Sequence, residues 1–153
     1  MVAVTTNQPI DVELGEWKRA GRGEILRAQV VSTGIAVALS NRRTGTGYLG
    51  FFTVDSVLNF RGMIRTALAE PGAPGRVQMW FDGASMVSPD REDAEEINAE
   101  VMSLRRYVAG GLDRAGFQMI HGGWLNVNQY LNIALRCGTE RCVISRGGDP
   151  YTR

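Results

Sequence analysis

The stretch from Ala28 to Val54, AQVVSTGIAVALSNRRTGTGYLGFFTV, leaves this chain few ways to fold. Two apolar runs, Ile35–Leu39 and Tyr48–Val54, flank the turn-rich SNRRTGTG. Short runs of Val, Ile and aromatics bounded by Gly, Asn and Thr predict a buried β-hairpin. Just before it stands Ser32-Thr33-Gly34, a small-residue turn where backbone can approach a ligand closely. Phe51 and Phe52 are neighbours, so in a strand they face opposite sides. One is expected in the core and the other against a pocket.

Around this hairpin the periodicity changes along the chain. Ile10, Val12 and Leu14 alternate with polar residues and predict a strand that Gly15 interrupts. Ile25–Val31 predicts a second strand. Val57, Phe60, Ile64, Ala67 and Leu68 recur at three and four, the stripe of an amphipathic helix capped by Asp55 or Ser56 and ended by Pro71-Gly72-Ala73-Pro74-Gly75. Val77–Phe81 predicts a short strand, with Asp82–Met86 as a loop after it. A second helix is expected from about Ser88-Pro89-Asp90, whose acids suit the positive end of its dipole, to a stop at Gly116. Its stripe is Ala94, Ile97, Val101, Leu104 and Val108. Phe117–Ile120 predicts a further strand, and Gln129–Arg136 with Arg141–Ser145 a last hairpin around Gly138-Thr139. Strands, helix, strand, helix, strands is an α+β order and not a regular βαβ alternation. The organisation read from this is an arm over 1–10, one domain over 11–146 and a tail over 147–153.

A formal net charge of +1 over 153 residues gives no basic footprint for nucleic acid. No run is long and apolar enough to span a bilayer, and MVAVTTNQPIDVELGEWK lacks the basic start and apolar stretch of a leader, so the expectation is a cytoplasmic protein of bacterial type. The acidic run Asp90–Glu96 has no histidine beside it and is read as helix-dipole complement, with no metal and no cofactor expected.

The two cysteines, Cys137 and Cys142, are expected as thiols that flank a hairpin turn and can face each other across it. With His121, the only histidine, either would make a Cys–His pair for nucleophilic catalysis. The bland readings compete: a buried cysteine behaves as a small hydrophobe, and a histidine before Gly122-Gly123 bonds a turn. Two cysteines and one histidine fall short of a zinc site. Trp80 is expected in the core. Trp124, after Gly122-Gly123, is the expected exposed aromatic and an interface candidate.

Several segments, in this order, resemble the CheD family of chemoreceptor glutamine deamidases. Gly15-Glu16 resembles its early Gly-Glu, and Leu26–Leu39 its T-L-x-G-S-C-V-A-V-x-L core. Tyr48–Val54 is similar to the glycine-rich strand that carries its histidine, and Phe81–Met86 to its F-G-G-A-N-M loop. The Asn98 helix, Gly122-Gly123 and the Thr139–Ile144 strand follow in order, so the resemblance spans about residues 11–146. It implies a fold shared with the cytotoxic necrotising factor toxins: an α+β, CheD-like layered sandwich of two mostly antiparallel β-sheets flanked by two main helices. It also implies protein-glutamine deamidation by a thiolate, with a histidine moving the proton. The family's cysteine, histidine and upstream threonine fall at Gly34, Phe51 and Ala28, which carry no such groups. Family members also dock a chemotaxis phosphatase and receptor helices.

The resulting expectation is a module that binds a protein partner in bacterial signalling and has no deamidase activity. Its binding cleft would comprise Ser32, Thr33, Gly34 and Phe51, rimmed by Asp82, Gly83, Ala84 and Ser85. Two alternatives stand beside it. One is an amidase relocated to Cys142 or Cys137 with His121. The other is a structural subunit of a homo-oligomer, with Trp124 or the second helix at the interface.

Overall fold

The computed structural model describes residues 8–148; the ends of the expected arm and tail, 1–7 and 149–153, lie outside the described residues. The strands are β1 (Ile10–Asp11), β2 (Trp17–Ala20), β3 (Ile25–Val31), β4 (Ile35–Asn41), β5 (Gly47–Phe52), β6 (Val77–Gly83), β7 (Gln118–Gly122), β8 (Gln129–Arg136) and β9 (Cys142–Gly148). The helices are α1 (Val57–Leu68), entered through a 3-10 turn over Val54–Ser56, and α2 (Ala94–Ala115). One sheet runs β1-β3-β8-β9 and the other β2-β5-β4-β6-β7. Pairing is antiparallel except β1 with β3 and β6 with β7. This is the α+β layered sandwich of two mostly antiparallel sheets and two helices that the chain predicts.

The hairpin is β4–β5, and it forms the middle of the five-stranded sheet with every residue buried. Burial on both faces is why its strands lack polar alternation. Ile35, Val37, Leu39, Tyr48 and Phe52 face a core shared with α1 and α2. Ala36, Ala38, Leu49 and Phe51 face the second core, between the two sheets, with Leu26, Ala28, Leu131 and Ile133 opposite. The layers are therefore sheet, sheet, helices, and both phenylalanines are core.

The helices keep their stripes with shifted limits. Phe60, Met63, Ile64 and Ala67 are the buried face of α1, while Leu68 is 38% exposed. Helix α2 starts at Ala94, later than Ser88–Asp90, because the Asn98 side chain bonds both Val87 N–H (2.8 Å) and Val87 C=O (3.1 Å) and ties that segment down as a loop. It ends at Gly116 in the left-handed conformation, φ 77°, as a C-terminal glycine should. The strand expected over Val77–Phe81 runs on through Asp82 and Gly83. Strand β9 runs to Gly148, past the expected end of the domain at 146. No helix among the described residues is long and apolar enough to cross a membrane.

Candidate functional site

The eight residues expected to form a cleft do converge, but as a packed seam. The Ser32-Thr33-Gly34 turn is zipped to the chain leaving β6: Ala84 N–H donates to Gly34 C=O (2.6 Å) and Ser85 N–H to Ser32 C=O (2.7 Å). Both serine hydroxyls are engaged, Ser32 donating to Gln129 C=O (3.0 Å) and Ser85 to Asn126 C=O (2.6 Å). Phe51, Asp82, Ala84 and Ser85 are all buried. A Cβ built on Gly34 would stand 2.8 Å from Cε1 of Phe51 and 2.9 Å from the Phe52 carbonyl oxygen. The open cleft is thus corrected to a closed seam, because the phenyl ring fills the space a side chain at 34 would need. Ser32 and Thr33 are half-buried, and Thr33 lines a groove of about 360 Å³ with Leu14, Asp55, Val87, Arg91 and Ile97.

The Cys–His alternative does not assemble. His121, on the edge strand β7, bonds Asp82 through Nε2 at 2.8 Å. Cys137 is buried against β5, where a Cβ on Gly47 would meet its sulfur. Cys142 pairs across the sheet with Leu135 and not with Cys137, and both thiols are free. Burial pushes the Cys137 thiol up to about 11 and the Cys142 thiol up to about 12, from an ordinary value of 9.0. Neither is a thiolate at neutral pH, and the thiolate is the nucleophile. Iodoacetamide at pH 7.5 is therefore expected to label both at least tenfold faster after denaturation than in the native chain. A native rate equal to that of a free thiol would overturn this. These neutral thiols favour the folded state fully below pH 9, and that contribution is lost as pH rises through 11 to 12.

Asp82 and His121 instead belong to a constellation with Arg146. Asp82 follows Gln78 and Trp80 on the face of β6 turned toward the other sheet and is fully buried. Its Oδ2 accepts from Arg146 Nη2 (2.5 Å), Arg146 Nε (3.2 Å) and His121 Nε2, and its Oδ1 accepts from Gly83 N–H (2.8 Å). The arginine comes from β9, in the opposite sheet, so the ion pair clasps the two sheets together on the side where β7 and β9 are edges. With the carboxylate as acceptor, Nε2 carries the hydrogen and Nδ1 is the acceptor of the neutral ring. No serine, threonine or cysteine side chain among the described residues hydrogen-bonds the ring, so it has no protein nucleophile to activate.

Sequence reasoning found Asp82 and His121 but gave them other roles, and assigned none to Arg146, the last residue of the expected domain. The signal was a carboxylate in step with the inward face of an apolar strand, which demands a cation nearby.

Trp124 is half-buried and not a free surface aromatic. It packs on Phe81 (5.2 Å between centroids) and under the Arg105 guanidinium (5.2 Å), which also donates to Ala84 C=O from Nη2 (2.7 Å) and Nε (3.0 Å). Among the described residues no group of three or more His, Cys, Asp or Glu side chains is placed to hold a metal ion. No protein-family model matches the chain, and no curated protein does.

Proposed function

We propose that this chain is a binding or regulatory module built on a CheD-like scaffold, acting through contact with a protein partner in a bacterial signalling setting and carrying no deamidase activity. The observation that supports this reading is the contact between positions 34 and 51. The resemblance puts a thiol and an imidazole at those two places, which requires them to be neighbours, and Gly34 and Phe51 are neighbours. A hydrogen atom and a phenyl ring stand there, so the pair has neither nucleophile nor proton carrier. Ala28, at the threonine position, contributes a methyl group to the core between the sheets.

The raised thiols and the engagement of His121 with Asp82 argue against a relocated Cys–His centre. The groove beside Thr33 offers a protein contact of mixed character, with Leu14, Val87 and Ile97 as apolar lining and Asp55, Arg91 and Glu100 as charged lining. Incubation with glutaminyl peptides is expected to release ammonia at the rate of a protein-free blank. Turnover above that blank, abolished by His121→Ala or by alkylation of the cysteines, would overturn the reading.

A further inference from the structure

The helical layer carries a site unrelated to the seam. A groove of about 570 Å³ runs between α1 and α2, within the roughly 300–1,000 Å³ range of small-molecule sites. Its floor is apolar: Phe60, Ile64, Leu68 and Tyr107. The Phe60 and Tyr107 rings meet edge to face at 6.1 Å. Gly111 leaves room for the Phe60 ring, since a Cβ there would stand 2.8 Å from it. From Phe60 to Leu68 the α1 wall is about 12 Å long, at about 1.5 Å per residue.

The rim is of one sign. Arg61, Arg65 and Arg114 line it and no acidic residue does. None of the three has a carboxylate within ion-pairing distance among the described residues. Arg65 and Arg114 lie in the last turns of their helices, where a cation is favoured by the dipole. Arg61 has no such reason, and it sits one turn from Arg65, a repelling i, i+4 pair. Three unneutralised guanidiniums around an apolar floor, on a chain whose net charge is only +1, are an excess that a bound anion would relieve.

We propose that this groove binds a single-chain anionic amphiphile: an apolar tail of medium length lies along α1 over Phe60 and Leu68, and a carboxylate or phosphate head is held by the arginines. The site lies on the helical face, so it stands or falls independently of the reading of the seam.

The test is calorimetric titration of the full chain with decanoate and with decyl phosphate below their micelle concentrations, beside decanol and decyltrimethylammonium. Both anions are expected to bind saturably, one per chain, at least tenfold tighter than the alcohol or the cation, and to weaken with added salt. The stronger of the two anions identifies the head group. The R61Q/R65Q/R114Q variant is expected to lose at least tenfold in affinity while still unfolding in one cooperative transition. Should that variant fail to fold, Leu68→Glu, at an exposed position, sets a carboxylate in the groove and is expected to lose the same tenfold. Equal binding of the cationic amphiphile, wild-type affinity in both variants, or binding of an acidic amphipathic peptide with none of the anions would overturn the proposal.

Discussion

Arg146→Ala lowers the free energy of unfolding by about 3 kcal/mol in urea denaturation, the lower end of the range for breaking a buried ion pair by removing one partner. The cost comes from what remains. Asp82 is fully buried, and without the guanidinium its carboxylate keeps only His121 and the Gly83 amide. The estimate is held to the lower end because the Arg146 side chain is 39% exposed, so water admitted by the truncation reaches part of the charge. Asp82→Ala, by contrast, removes the buried charge together with its need for a partner. Adding Arg146→Ala to it is expected to cost under about 1 kcal/mol, leaving about 2 kcal/mol of coupling between the two sites. A loss below about 0.5 kcal/mol for Arg146→Ala alone would mean that the clasp between the sheets contributes nothing.

What the sequence made legible follows from how strongly each element depends on its own residues. The β4–β5 hairpin and the stripes of α1 and α2 are periodic and apolar, and burial on defined faces dictates them. Strand β2, WKRA, has no such signature; it exists because Trp17–Ala20 pairs with Gly50–Gly47 at the edge of a sheet built by other residues. The onset of α2 was displaced by one asparagine bonding backbone eleven residues away, a tertiary contact invisible to helix-start rules.

The same division holds at the site. That residues 32–34, 51 and 82–85 would meet was legible in the chain, through turn chemistry and resemblance. That they would close on each other was not, because closure depends on two backbone hydrogen bonds between segments about fifty residues apart. The partnership of Asp82 with Arg146 was hidden for a related reason. Period-2 parity tells which way a strand residue points, not which strand of the opposite sheet lies there.

The closed seam makes the second large prediction. Gly34→Cys, which places a thiol in the turn, is expected to destabilise the chain by about 3 kcal/mol, the upper part of the range for overpacking a well-filled core. Two atoms stand in the way at under 3 Å: Cε1 of Phe51, a buried ring, and the Phe52 carbonyl oxygen. That carbonyl is the more stubborn obstacle, since Phe52 pairs with Ile35 in the middle of the five-stranded sheet and cannot retreat without moving β4. The ring is the obstacle that can be removed. Phe51→Ala alone opens a cavity between the sheets and is expected to cost about 3–5 kcal/mol. In the G34C/F51A pair the added sulfur occupies part of that cavity, so the double variant should be at least about 2 kcal/mol more stable than the sum of the singles predicts. Chemical denaturation of the four proteins of this cycle measures each term. A neutral Gly34→Cys would show that the turn has room for a thiol beside position 51, and the seam would then be an open cleft after all. Strict additivity with a costly Gly34→Cys would assign the whole penalty to the Phe52 carbonyl and exonerate the ring.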